Sequence, residues 1–454
     1  MSDEDFREAA QAVYQALLAR IGEGAPERRL TATRRAVELL GDPQRAYPII
    51  HITGTNGKTS TSRIIESVLR AYGLRTGLLT SPHLVSFNER IVIDGEPISD
   101  EDLARNWEDV KPYLDIVDVE LEEAGHPPLT FFEALTALAF AAFADAPVDV
   151  AVIEVGMGGE WDSTNVGDGQ VAVFTPISLD HTKALGDTIA EIARTKSGII
   201  KPAADVVTAA QSPEALDELR TAVALTEASL SAQPAAFDVA STSVAVGGQL
   251  VSIRGRAATY DDLFLPLYGD HQAQNAAVAV AAVETFLGRG SQPLNAALLE
   301  EGFATATSPG RLQLIGIEPT VLVDAAHNPA GAQTLAEALR RYFDFDELAI
   351  VFGVLGDKDA RGIVRALAPI ATEFYVVRPR SERALDAEEL GEIVREEVGD
   401  EATIVYGDVD GALEAAREWA AEEPRRAVVV TGSIVLVGDA MAIADAGDWK
   451  TAAS

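Results

Sequence analysis

Between positions 51 and 60 the chain reads His-Ile-Thr-Gly-Thr-Asn-Gly-Lys-Thr-Ser, a glycine-bearing segment that ends on Lys58 and Thr59. Residues of these types at this spacing can bind phosphate. Backbone N–H groups of such a loop form an anion-binding concavity, and a helix that starts directly after it adds partial positive charge. Lys58 can then reach the terminal phosphates of a nucleotide, and the Thr59 hydroxyl can hold Mg²⁺. The segment departs from the pattern G-x-x-x-x-G-K-[ST], because the residue five before Gly57 is Ile52. The other reading is a plain turn from strand to helix.

Two more segments carry ligating side chains, Glu154-Val-Gly-Met-Gly-Gly159 and Thr175-Pro-Ile-Ser-Leu-Asp-His181. Each follows a β-branched run. Carboxylate and imidazole leaving adjacent parallel strands face the crevice where open α/β sheets bind ligands. With the hydroxyls of Thr59 and Ser81 they suit Mg²⁺ or Mn²⁺ better than Zn²⁺. Alternatively Glu154 caps a loop and His181 is a core histidine. The chain has only seven lysines, at 58, 111, 183, 196, 201, 358 and 450. Solubility is therefore not what keeps them, and Lys196 and Lys201 in Thr-Lys-Ser-Gly-Ile-Ile-Lys-Pro stand out, as does Lys358 in Gly-Asp-Lys-Asp. A lysine near phosphate or metal can shift its pKa and become reactive, or it is a strand-end lysine. Asp324-Ala-Ala-His-Asn-Pro329 marks a later strand-to-helix passage, either a site or a helix cap.

The elements that must hold these residues are legible as a regular alternation of short β-branched runs and 3.6-period segments. Residues 47–52 predict a strand, 53–57 a tight loop and 58–72 a helix with Ile64, Ile65, Val68, Leu69 and Tyr72 on one face. Further strands are expected at 77–80, 148–155 and 171–175, with helices at 102–123 and 131–143. The texture changes over 235–267 to a glycine-interrupted antiparallel patch, followed by a helix from about Asp270. A second series of strands is expected at 321–324, 348–354, 374–377, 403–405 and 427–431. Gly, Ser and Pro concentrate between Gly288 and Arg311, which marks a join.

At about 150 residues per domain, 454 residues predict two or three domains, and two fit the pattern better. The acids exceed the bases by 35, with 47% hydrophobic residues, so this is a globular chain with an acidic coat. Such a charge argues against nucleic acid as a partner. Arg dominates the bases, a balance typical of a salt-in halophile, where concentrated salt screens self-repulsion. Zero Cys excludes disulfides and thiolate metal sites, and the acidic start MSDEDFREAA is unlike a secretory signal. The longest apolar run, 129–143, contains Glu133 and is too short to span a membrane, so a cytoplasmic protein is expected.

Taken in order, the motifs resemble the folylpolyglutamate synthase/dihydrofolate synthase branch of the Mur ligase superfamily. The resemblance is carried by HITGTNGKTS, GLLTSPHLVSFNERIVIDG (77–95), PLTFFEALTALAF (128–140), DVAVIEVGMGGEWDSTN (149–165) and the run 175–202. It continues through YGDHQAQN (268–275), SPGR (308–311), VDAAHNPAGA (323–332), FGVLGDKD (352–359) and VTGSIVLVGDA (430–440). It implies an α/β fold of two domains. Residues 1–300 would form a P-loop Mur ligase central domain, mostly parallel sheet with a small antiparallel patch, and 301–454 a Rossmann-like C-terminal domain. The implied reaction is ATP-dependent addition of L-glutamate to dihydropteroate, to reduced folate, or to both.

The resemblance also implies roles. Gly54, Thr55, Asn56, Gly57, Lys58, Thr59 and Ser60 would cradle ATP, and Asn275, Arg311 and Asp324 would grip it from the domain junction. Thr59 and Glu154 would hold one Mg²⁺, and Ser81, Glu154 and His181 a second, with a carbamylated Lys196 as a further ligand and K⁺ as an optional monovalent ion. Lys58, Lys196, His181 and His327 would act in catalysis. Asn88, Arg90, Phe131, Phe132, Asn165, His327 and Ser433 would bind acceptor or glutamate, although the two Phe also read as a core helix face. The chain departs from the family at Glu160 and Trp161, where Arg and Leu are usual, which touches the acceptor side. Only about fifty residues precede Thr53, which argues against a UDP-linked substrate, and the family precedent is monomeric. Two rivals remain: a ligase for another carboxylate, and a nucleotide switch that makes no bond.

Overall fold

The computed structural model describes residues 2–22 and 27–450. The chain forms two compact units, one of Met1–Ser243, Leu250–Leu265 and Ala273–Ala306, the other of Val244–Gln249, Pro266–Gln272 and Thr307–Ser454.

The first unit is built on eight strands: β1 (Ile49–Thr53), β2 (Thr76–Leu79), β3 (Ile91–Ile93), β4 (Glu96–Pro97), β5 (Val150–Glu154), β6 (Gly169–Phe174), β7 (Asp205–Thr208) and β8 (Ser229–Ala232). Their order is β4-β3-β2-β5-β1-β6-β7-β8. All neighbouring pairs are parallel except β2–β3 and β3–β4, where the chain turns back at the edge. Central strands β1 and β5 are apolar apart from His51, Thr53 and Glu154, and are buried throughout, as strands must be when helices cover both faces. The helix Lys58–Ala71 follows β1 and buries Ile64, Ile65, Val68 and Leu69. The helix Phe131–Asp145 opens with a capping box from Thr130 and Glu133 and is buried almost all round.

The glycine-interrupted stretch forms β9 (Asp238–Ala245), β10 (Gly248–Arg254) and β11 (Thr259–Leu265), in the order β11-β10-β9. Connections this short permit only antiparallel pairing. The helix Asp270–Gly288 follows. Where the composition suggested only a join, the chain folds a further helix, Ala296–Ala304, between the turn residues of GRGSQP and SPGR. It packs on the phosphate-loop helix, where Ser67 Oγ donates to the Gly302 carbonyl at 2.8 Å, so the first unit runs on to Ala306.

The second unit holds β12 (Gln313–Gly316), β13 (Thr320–Asp324), β14 (Glu347–Phe352), β15 (Glu373–Val376), β16 (Thr403–Val405) and β17 (Arg426–Thr431). Their order is β12-β13-β17-β14-β15-β16, parallel except for β12. Leu322, Ile350, Phe352, Phe374, Val376 and Val429 fill its core. Among the described residues no helix is long and apolar enough to cross a membrane.

Candidate active site

The turn between β1 and its helix depends on two glycines. Gly54 (φ 153°) and Gly57 (φ 86°) hold conformations that side chains disfavour. A Cβ at Gly54 would collide with the Thr175 side chain, and one at Gly57 would lie 2.5 Å from Asn275 Oδ1. Thr55 laces the loop to the segment leaving β6. Its N–H donates to Pro176 O at 2.9 Å, and its Oγ1 donates to Ser178 O and accepts from Ser178 N–H, both at 3.0 Å. Lys58 Nζ curls over the loop to the carbonyls of Gly54 (3.3 Å) and Thr55 (3.2 Å). Thr59 Oγ1 lies 2.9 and 3.0 Å from the two carboxylate oxygens of buried Glu154. Asn56 is half-buried and Ser60 buried at the start of the helix.

Glu154 ends β5, paired with Ile52 of β1, and the glycines that follow allow close approach. Thr53 Oγ1 donates to Gly158 O at 2.8 Å, and a Cβ on Gly159 would be 2.6 Å from Lys196 O. Lys196, buried on the helix Ile189–Ser197, donates from Nζ to Gly54 O at 2.8 Å. Two lysines from separate helices thus meet on one carbonyl of the loop. Burial, followed by the charge of Lys58, brings the Lys196 ammonium down to about 7, while Asp180 and Asp162 oppose the shift. His181 (φ 50°) opens the short helix Thr182–Leu185 with its ring 3.9 Å from Asp180. Ser81 leaves β2 on a cis peptide to Pro82. Thr59, Ser81, Glu154 and His181 therefore follow the carboxyl ends of four parallel strands, the side where open sheets bind ligands. Among the described residues no group of three or more His, Asp and Glu is gathered as a metal cage.

On the expected acceptor side the structure separates the candidates. Arg90 is buried, donating from Nε to His83 Nδ1 at 2.8 Å, with its guanidinium 5.0 Å from the centre of the Phe131 ring. Phe131 belongs to the core, whereas Phe132 is partly exposed and presses on Gly156, where a Cβ would be 2.6 Å from its ring. Asn88 spends its amide on Ile98 O (2.7 Å) and Asp100 (3.0 Å), fixing its own loop. Asn165 donates to Glu160 O and Gly198 O, both at 3.0 Å, and its buried Oδ1 has no partner.

In the second unit, the Asp324 carboxylate accepts from Leu312 N–H and Ala326 N–H, both at 2.8 Å. Burial pushes its carboxyl up, and Arg311 pulls it back. His327 Nδ1 lies 2.9 Å from Ala325 O, and Asn328 caps the helix Pro329–Tyr342 by accepting from Gly331 N–H at 2.8 Å. Buried Ser433 starts the helix Ile434–Ala446. The strands before these two segments are parallel neighbours, with Asp324 opposite Thr431, and Gly432 N–H donates to Ala326 O at 3.0 Å. His327 and Ser433 thus leave adjacent strand ends.

Two organising carboxylates escaped the sequence reading. Glu89 accepts the N–H groups of Leu84 (2.8 Å), Val85 (2.9 Å) and Ser86 (2.7 Å), and the Ser86-x-x-Glu89 capping pattern was its signal. Asp162 accepts from Met157 N–H (2.9 Å), Thr164 N–H (3.0 Å) and the Thr164 hydroxyl, and so closes the loop after Glu154.

Residues 52–283 match the model of the Mur ligase middle domain, and 310–434 that of the Mur ligase glutamate ligase domain. The dihydrofolate synthase/folylpolyglutamate synthase of Mycobacterium tuberculosis is 44% identical over 90% of this chain and 89% of its own length. The solved Mycobacterium tuberculosis folylpolyglutamate synthase complexed with ADP superposes with a TM-score of 0.92 at 43% identity, over 97% of this chain and 99% of that one. The Escherichia coli FolC structure in complex with DHPP and ADP gives 0.82 at 28% identity, over 93% and 94% of the two chains. The fold is thus that of solved folylpolyglutamate synthases, and the chain belongs to the dihydrofolate synthase/folylpolyglutamate synthase family of Mur ligases.

Proposed function

We propose that this protein is an ATP-dependent ligase that joins L-glutamate to dihydropteroate, to reduced folate, or to both, through an acyl phosphate. The observation that carries the reading is the loop Gly54–Ser60, with Lys58 and Lys196 converging on the Gly54 carbonyl and Thr59 paired to Glu154. A free carboxylate is a poor acyl donor, so the ATP γ-phosphoryl is first transferred to it, and the charge of Lys58 stabilises that group. The amine of glutamate then attacks the acyl carbon, the amide forms and phosphate leaves. The loop N–H groups, with Asn56 and Ser60 beside them, orient the nucleotide. Asn275, Arg311 and Asp324 are assigned to the same nucleotide, and His327 and Ser433 to glutamate. Asn88, Arg90, Phe131, Phe132 and Asn165 shape the acceptor side, Asn88 and Phe131 through the loop and core they hold.

The donor set fits Mg²⁺: Thr59 and Glu154 offer hard oxygen, no thiolate exists in the chain, and two protein ligands suit an ion that keeps water and phosphate around it. When bound, Mg²⁺ supplies neutralisation of the transferring phosphoryl group. Ser81, Glu154 and His181 are assigned to a second ion, and Lys196, whose ammonium burial brings down to about 7, is the amine open to carbamylation as its further ligand. No donor set is assigned to K⁺. The protein acts as a cytoplasmic monomer without nucleic acid or membrane, and its acidic coat suits concentrated salt.

Mass spectrometry of reactions in molar KCl with ATP, Mg²⁺ and L-glutamate tests the reading, with dihydropteroate in one tube and tetrahydrofolate in another. The expected result is a gain of one glutamyl residue in at least one tube. No gain in either, from protein that binds ATP, moves the acceptor to a non-folate carboxylate, and ATP turnover without an acceptor removes the ligase reading altogether.

A further inference from the structure

A cavity of about 450 Å³ in the first unit lies beside the site described above, walled in part by the short helix that His181 opens. Its size is that of a small-ligand pocket. Arg28, Trp161, Lys183, Leu185, Arg194 and Thr195 form most of its wall. Arg28 lies over the Trp161 indole, 5.8 Å from the ring centre, and donates to the Ala184 carbonyl. Lys183 is one of only seven lysines in the chain, and it is exposed. Arg194 is engaged by Glu218 at 2.7 Å. The wall also holds two acids, exposed Asp187 and Glu191, of which Glu191 accepts from Thr188 N–H (3.1 Å), Thr188 Oγ1 (2.9 Å) and Asp187 N–H (3.0 Å) as a helix cap. In a chain of net charge −35, three cations on this wall, Arg28, Lys183 and Arg194, thus outnumber its two acids and stand beside an aromatic face.

Its placement bears on the reaction. The site of a Cβ on Gly158 is 3.0 to 3.3 Å from Leu185, Thr195 and Trp161, three residues of the cavity wall. Gly158 is also the residue whose carbonyl accepts from Thr53, and Thr195 precedes the lysine that reaches Gly54. The wall thus packs against a residue that is hydrogen-bonded to Thr53, the last residue before the phosphate loop's first glycine. We propose that this cavity is a subsite for the glutamyl chain already attached to the acceptor, with Arg28 and Lys183 taking its carboxylates and Trp161 covering its methylenes. The inference rests on the ligase reading above. A glutamyl chain fits because it repeats a carboxylate on a flexible apolar spacer, and charge-assisted contacts to two separate cations favour a chain over a single carboxylate.

The test compares wild type with Arg28→Gln, Lys183→Gln and Trp161→Leu on three acceptors: dihydropteroate, tetrahydrofolate with one glutamate, and tetrahydrofolate with three. KM for L-glutamate is measured alongside. In the two charge variants KM for the triglutamate acceptor is expected to rise about tenfold, with kcat held and with KM for dihydropteroate and L-glutamate within about twofold. Trp161→Leu is expected to raise KM for the triglutamate acceptor more than for either of the other two. An equal rise for all acceptors, a rise confined to L-glutamate, or no change overturns the subsite, as does a wild type that accepts dihydropteroate and no glutamylated folate. A wild type that glutamylates nothing overturns the ligase reading instead, and shows it before any variant is made.

Discussion

His51 stands three residues before the first glycine of the phosphate loop and is fully buried, with Nε2 2.9 Å from Thr164 Oγ1 and an unpartnered Nδ1. Burial, helped by the charge of Lys201, lowers it to about 3. Above pH 6.5 the ring is neutral folded or unfolded and adds no pH dependence. Below it the unfolded chain takes a proton that the folded one refuses, so stability falls by up to about 1.4 kcal/mol per pH unit until roughly pH 3. Replacing His51 by Gln keeps a donor for Thr164 and removes that proton. The slope of unfolding free energy against pH between 6 and 4 is expected to become shallower by about one proton, with His271, held at about 4, still contributing. Parallel curves for the two proteins would refute it. Lys58, Thr59, Glu154 and Lys196 were legible because a lysine-poor chain and a glycine-bearing motif single them out. Asp162 was not, because a carboxylate that gathers backbone N–H groups is defined by how its loop closes.

At the scale of elements, the passage from β1 through the loop to Lys58–Ala71 was readable almost to the residue, since an apolar run, two glycines and a 3.6-period face follow without spacers. The parallel strands of the second unit were equally plain. Strands β3, β4, β7, β8 and β12 were missed: they are two to four residues long, and several carry polar residues at positions a buried run would make apolar. Helix Ala296–Ala304 hid behind the turn residues on either side of it. Close packing at the loop gives this scale its prediction. Gly54 faces Thr175 so tightly, at φ 153°, that a methyl group must move the loop or β6. Gly54→Ala is expected to cut kcat/KM for ATP by more than about 100-fold, roughly 3 kcal/mol, from displaced loop N–H groups. Its circular dichroism should match wild type. Activity within a few-fold of wild type would mean the loop's shape does not set nucleotide placement.

For the whole molecule the dominant fact is 71 acids against 36 bases. Many arginines are paired on the surface, such as Arg35 with Glu120 at 2.8 Å and Arg105 with Asp145 at 2.8 Å. Exposed pairs of this kind contribute about 0 to 1 kcal/mol each and weaken in salt. The excess acids have no such partner to lose; they repel one another, and that repulsion opposes the compact state. Screening shortens its reach from about 10 Å at 0.1 M to about 3 Å at 1 M. The two effects have opposite signs, and the repulsive one is larger because 35 charges are uncompensated. The melting temperature is therefore expected to rise between 0.1 and 2 M KCl, by about 3 to 5 °C if roughly 3 to 5 kcal/mol of repulsion is relieved, because 454 residues carry an unfolding entropy of about 1 kcal/mol per K. Screening depends on ionic strength alone, whereas salt exclusion from the surface strengthens apolar burial more in sulfate than in chloride. KCl and K₂SO₄ at matched ionic strength should therefore give the same rise below about 1 M and diverge only beyond it. Thermal melts in the two salts decide the matter: a melting temperature that is flat or falls in KCl would show that the surface pairs, and not the unpaired acids, govern the stability of this chain.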